Sequence, residues 1–194
     1  AFSAGDQRLR RWSFRMTSTK SVCLVVFIVL FLSPKISDRT GPEIQGAISR
    51  VNSKRHGLSV ISTVTNKGKM RWKAFDGALN SDILIDFLRR LIKDANRKIY
   101  LILDNLRVHH SKPVKAWLAE HKQKIEVFYL PSYSPELNPN EMANADLKHA
   151  VTKLAPARTK LQLVKATTSH LRSVQRKPAR IKSYFEHAPV RYAA

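Results

Sequence analysis

From Gly57 onward the apolar and polar positions recur with legible periods. Leu58 to Thr65 (LSVISTVT) has the β-branched, apolar make-up of a strand. Asn66-Lys67-Gly68-Lys69 reads as a hairpin turn in which Gly68 takes positive φ, and Met70 to Phe75 alternates as the returning strand. Asp76-Gly77 closes it. Ile83, Leu84, Phe87, Leu88 and Leu91 recur at helical spacing behind Asn80 or Ser81 as cap. Lys98 to Asp104 (KIYLILD) is a buried strand. Ser111 to Lys122 is a helix with Ser111 as cap and Pro113 in its first turn. Lys124 to Leu130 is a strand, PSYSPELNPN a proline-rich loop, and Glu141 begins a helix through Leu147 towards Val151.

The order strand, strand, helix, strand, helix, strand, helix gives a mixed α/β sheet with helices on both faces. Alternation alone leaves a ribonuclease-H-like and a flavodoxin-like sheet both open. The earlier chain is less regular. A basic stretch, RLRRWSFRMTSTK, precedes a continuous apolar run from Ser21 to Leu32. That order suits a secretory signal or membrane anchor, yet the run is short of the roughly 20 residues a spanning helix needs. Its Val, Ile and Phe suit a buried strand equally well. A chain that begins at Ala1 is expected to be a fragment.

Charge narrows the partners. The 194 residues carry 35 Lys plus Arg against 14 Asp plus Glu, a formal charge of +21. Such an excess points to a polyanion, nucleic acid before acidic membrane. Residues 142–194 hold eleven of the basic and two of the acidic side chains, a surface suited to backbone phosphates. The single cysteine, Cys23, excludes an internal disulfide and a cysteine-based zinc site.

Two acids stand out. Asp104 ends a buried strand, at the crevice where α/β sheets bind ligands; alternatively it caps the next turn. Glu141 follows Asn138-Pro139-Asn140, where Asn138 is a helix cap and Glu141 is able to fold back onto the cap amide. The same helix terminus favours an ionised carboxylate. Thirty-six residues separate the two acids, enough for a helix, a strand and a loop that return the chain beside its starting strand. Paired carboxylates there would suit Mg²⁺, usually held by one or two carboxylates plus substrate phosphate oxygens.

LILDNLRVHHSK followed by FYLPSYSPELNPNE resembles the catalytic core of mariner-type DDE transposases of bacterial insertion sequences. The matching positions are Asp104, Asn105, His109, Leu130, Pro131, Tyr133, Ser134, Pro135, Leu137, Asn138, Pro139 and Glu141. The resemblance runs from about Pro42 to about Lys160. It implies a ribonuclease-H-like fold and DNA cleavage and strand transfer with Mg²⁺ or Mn²⁺. It makes Asp104 and Glu141 the second and third members of an acidic, metal-holding triad, and His109 a structural or DNA-contacting residue. It implies double-stranded DNA partners (element ends and target), a homodimer, no membrane partner, and a bacterial cytoplasmic, nucleoid-associated location.

The family's first Asp is expected on the first strand, roughly 20 residues before Pro42, and no acid lies between Asp6 and Asp38. The expected organisation is therefore an atypical segment over 1–40, read as out of frame, a catalytic core over 41–155, and a basic helical tail over 156–194. The Met16-Thr17 codons, shifted by two bases, encode Asp at the first position. The function expected is an impaired transposase. The alternatives are a nuclease without strand transfer, a non-catalytic DNA-binding remnant and, from Ser21 to Leu32 alone, a membrane-anchored basic protein.

Overall fold

The computed structural model describes residues 23–32, 57–95, 97–131, 134–153 and 159–193. One five-stranded sheet has the order β3-β2-β1-β4-β5. Its strands are β1 (Cys23–Leu32), β2 (Leu58–Val64), β3 (Met70–Phe75), β4 (Ile99–Leu103) and β5 (Ile125–Tyr129). β2 runs antiparallel to both β1 and β3, and β4 and β5 continue parallel to β1. The helices are α1 (Ser81–Lys93), α2 (Lys112–Glu120), α3 (Asn140–Lys153), α4 (Lys160–Gln175) and α5 (Pro178–Ser183).

The apolar run that suits a signal, an anchor or a strand forms β1, the central strand, paired with β2 on one side and β4 on the other. No helix among the described residues is long and apolar enough to cross a membrane. Asp6, Met16, Thr17 and Asp38 lie outside the described residues.

Each expected element from Leu58 to Val151 is present, with ends moved by at most two residues. Asn80 caps α1, its Oδ1 accepting from the Ile83 amide at 2.9 Å. Ser111 stands at the α2 cap position without a capping bond; its Oγ lies 3.0 Å from Ser81 Oγ instead. Gly68 has φ +78° in the β2–β3 turn, as the hairpin requires.

The two-residue strand period divides the core. Leu58, Val60, Val64 and Ile102 pack with Leu147 and Val151 of α3 and Leu163, Leu171 and Val174 of α4. Ile61, Ile99, Leu101, Leu103 and Ile125 pack with Leu84, Phe87 and Leu88 of α1 and Val114 and Trp117 of α2. Both faces of the sheet are covered, and α4 joins the same core as α3.

Candidate active site

Asp104 leaves the carboxyl end of β4. By strand alternation it falls on the Ile102 face, the side covered by α3. His109, in the 3₁₀ turn Arg107–His110, is wholly buried beneath it. His109 Nδ1 lies 2.8 Å from the Asp104 carbonyl oxygen and 3.0 Å from Asp104 Oδ1. Both neighbours are acceptors, so Nδ1 carries the hydrogen and aims it at the carbonyl, with the carboxylate alongside. Asp104 Oδ1 is enclosed, while the side chain as a whole is 32% exposed. The accessible oxygen is therefore Oδ2. Burial removes direct DNA contact from the two roles open to His109 and leaves the structural one.

Asn105 locks the loop that follows. Its Nδ2 donates to the Leu130 carbonyl at 2.7 Å, and its Oδ1 accepts from His110 Nε2 at 3.2 Å. The His110 ring leans on Tyr129 with centroids 4.5 Å apart, and burial raises the Tyr129 hydroxyl pKa. This ties the end of β4 to the end of β5, where the proline-rich loop begins. Ser132 and Tyr133 of that loop lie outside the described residues.

Glu141 sits in the first turn of α3, one residue after the helix begins. Asn138 Oδ1 accepts from the Asn140 amide at 3.0 Å, and the Asn138 carbonyl accepts from the Glu141 amide at 2.9 Å. The Asn138 amide donates to the Pro135 carbonyl at 3.0 Å. That donor is satisfied without the Glu141 side chain, so the reciprocal capping role does not need this carboxylate. Tyr192 from the carboxyl-terminal turn donates to the Leu137 carbonyl at 2.7 Å and braces the loop. Its hydroxyl pKa is raised by burial.

One anchor of this site is invisible to motif reading. Asn140, fully buried, donates from Nδ2 to the Ser62 carbonyl and to Ser62 Oγ, both at 3.1 Å. This fastens the amino terminus of α3 onto β2. Ser62 pairs with position 28 of β1. Along the β1–β4 ladder Val26 pairs with Ile102, so position 28 comes level with Asp104 two residues further on. A single row across the sheet thus runs Trp72, Ser62, position 28, Asp104, Leu130. Glu141 joins the Ser62 end through Asn140, and Asp104 stands on the other side of position 28.

Position 28 is Ile, and β1 holds no acid. Strand pairing, rather than residue counting, puts the middle of the row at 28 and not near residue 16 or 22. Among the described residues no group of three or more His, Cys, Asp or Glu side chains is placed to hold a metal ion.

Residues 37–164 match the family model described as DDE superfamily endonuclease. The chain is 32% identical over 97 residues to the Insertion element IS630 uncharacterized 39 kDa protein of Shigella sonnei, covering 49% of this chain and 28% of that protein. In structure it is similar to the Mos1 mariner transposase in its paired end complex with Mn, with a TM-score of 0.63 and 15% identity over 97% of this chain and 61% of that one. The Mos1 transposase catalytic domain with Raltegravir and Mn gives 0.62 at 12% identity, covering 97% and 92%. The chain therefore spans 28% of the insertion-element relative and 61% of the Mos1 chain in the paired end complex. The fold is ribonuclease-H-like, as the resemblance implies, and the chain belongs to the DDE superfamily endonuclease family.

Proposed function

We propose that this chain is a DNA transposase catalytic domain, built for metal-dependent strand cleavage and strand transfer and impaired by the want of one carboxylate. The observation that carries the reading is the row through position 28, with Asp104 at one flank and the Asn140–Glu141 helix start clamped at the other. The insertion-element relative supports it, as do Mos1 neighbours solved with Mn and with Mg.

Asp104 and Glu141 offer hard carboxylate oxygens, the donor type that Mg²⁺ and Mn²⁺ take. They are the residues that would hold the ion. Bound there, a divalent cation supplies Lewis-acid polarisation of a phosphodiester and an activated water. The chain's own groups set the stage. His109 fixes the Asp104 carboxyl from below and turns Oδ2 outward. Asn105 and the Asn140–Ser62 clamp hold the two flanks in register. The cationic surface draws in element-end and target DNA through its phosphates. Synapsis of two ends calls for a homodimer, and this reading places the work on bacterial chromosomal DNA in the cytoplasm.

The test compares the unaltered chain with Ile28→Asp in plasmid nicking and oligonucleotide joining in Mn²⁺, with folding checked by circular dichroism. The unaltered chain is expected near background. Ile28→Asp is expected to raise nicking by about tenfold or more, about 1.4 kcal/mol of barrier, and Asp104→Asn to erase the gain. Vigorous strand transfer by the unaltered chain would refute the impairment. A folded, DNA-binding Ile28→Asp protein with no gain favours the second reading, a non-catalytic DNA-binding remnant, for which the acid-free β1 is the specific observation.

A further inference from the structure

A second basic feature lies at the opposite end of the sheet. Lys98 and Lys124 immediately precede β4 and β5, and the last turns of α1 and α2 come down beside them. Between these elements is a cavity of about 580 Å³, to which Arg89, Lys93, Arg97, Lys98 and Lys124 contribute five cations. Among the described residues no carboxylate lines it. Lys98 is paired with Glu126 at 2.8 Å, and the nearby Asp94 is occupied by Arg71 at 2.9 Å. Among the described residues no ion pair reaches Arg89, Lys93, Arg97 or Lys124, and all four are exposed. The wall is stiff: buried Trp117 stacks on His121 with ring centroids 4.1 Å apart, and His121 Nδ1 donates to the Trp117 carbonyl at 2.8 Å.

Cations gathered in a concavity without acids repel one another until an anion enters, and a concave low-dielectric wall concentrates their field. Their partner is a run of phosphates rather than a lone ion, since the cations are spread over two helix ends and two strand starts. The place differs from the carboxylate row in two ways. Lys98 and Asp104 lie six positions apart along an extended strand, about 20 Å at roughly 3.3 Å per residue. The helices that frame the cavity also pack on the other face of the sheet from α3. A duplex with a persistence length of about 150 bp does not turn around so small a body cheaply.

We infer that this groove is a second DNA-backbone site, which holds a duplex segment other than the one presented to Asp104 and Glu141. It reads phosphates and not bases. The inference rests on the transposase reading only for the choice of DNA as the polyanion.

The experiment measures binding of the whole chain to a labelled 30-bp duplex (about three helical turns, longer than one contact site) in EDTA, across a NaCl series. Arg89→Ala/Lys93→Ala/Lys124→Ala is compared with Lys67→Ala/Lys69→Ala/Lys115→Ala, which removes the same charge from exposed positions outside the groove and outside 142–194. The groove triple is expected to flatten the slope of log K against log salt by about 2–3, and the control triple by less than about 1. Energy transfer between donor- and acceptor-labelled duplexes on the unaltered protein is expected to vanish in the groove triple. Equal losses in both triples, or an unchanged slope in the groove triple, would overturn the proposal. So would groove-dependent binding to phosphatidylserine vesicles with DNA binding intact. No metal or cleavage enters this assay, so its failure leaves the Ile28→Asp test standing, and the reverse holds.

Discussion

Asn140 makes two hydrogen bonds to a residue 78 positions earlier in the chain, and neither it nor Ser62 is open to water. Removing its amide leaves the Ser62 hydroxyl buried without that partner, which costs about 1–3 kcal/mol. Asn140→Ala is therefore expected to lower stability in urea by that amount. Ser62→Ala combined with Asn140→Ala should cost less than the two singles added, because they share one interaction. Strict additivity would mean that the clamp is not a unit. The pair also shows where sequence reading stops. Asp104 and Glu141 are legible as candidates because one ends a patterned strand, the other opens a patterned helix, and each stands in a recognisable run of neighbours. Ser62 is one hydroxyl in the apolar strand LSVISTV, and no local period announces that it faces a helix start. The same holds for position 28. Its meaning comes from pairing with Ser62 and from its level with Asp104, and pairing between distant segments is not written in either one.

Two junctions between elements invite tests. In the β2–β3 turn, Gly68 at φ +78° faces the start of α5, where an added Cβ would stand 2.6 Å from the Pro178 carbonyl oxygen. Gly77 has φ +80° but open space around it. Both substitutions to Ala carry the left-handed penalty of about 1–2 kcal/mol. Gly68→Ala must in addition displace a backbone oxygen, so its thermal midpoint should fall further than that of Gly77→Ala; equal losses would mean that α5 gives way freely. The second junction joins α3, α4 and α5 at Asp146. Asp146 accepts from Tyr184 Oη at 2.6 Å and Arg180 Nη2 at 2.5 Å, and His170 Nε2 lies 3.6 Å away. Burial, aided by Arg180 and Lys177, lowers the His170 pKa below its ordinary 6.5 despite the pull of Asp146. The folded state thus keeps His170 neutral where the unfolded chain protonates. The contribution to stability is present above pH 6.5 and is lost as pH falls from there towards the lowered folded value. His170→Gln should lose less stability than the unaltered chain between pH 7.5 and 5 (about one unit above and 1.5 below the ordinary histidine pKa), measured by urea unfolding. A steeper loss would mean that the Asp146 attraction wins. These junctions were only partly legible. The strand and helix periods locate the elements, and Ser21 to Leu32 reads as strand, signal or anchor until β2 and β4 pair with it.

At the scale of the molecule the excess charge decides the response to salt. If every acid paired with a cation, 21 positive charges would still be left over. The ion pairs present are mostly at the surface, among them Arg71–Asp94 and Lys160–Asp76, with side chains 44–66% exposed. Such pairs contribute little, so repulsion outweighs attraction in the free protein. Screening shortens from about 10 Å at 0.1 M to about 3 Å at 1 M and relieves that repulsion. The midpoint of thermal unfolding is therefore expected to rise by about 2–4 °C between 0.05 and 1 M NaCl, the shift that about 1 kcal/mol gives a chain of this size. Duplex DNA should reverse the trend. A polyanion that binds the folded state stabilises it by about 2.7 kcal/mol at a hundredfold excess over Kd. The same salt that relieves repulsion also weakens that binding, because each neutralised phosphate releases its counterion. With saturating duplex the midpoint should begin well above the free protein at low salt and decline until the two curves meet. A free-protein midpoint that falls with salt would show that ion pairs govern stability. Parallel curves with and without duplex would show that the charge was not built for DNA.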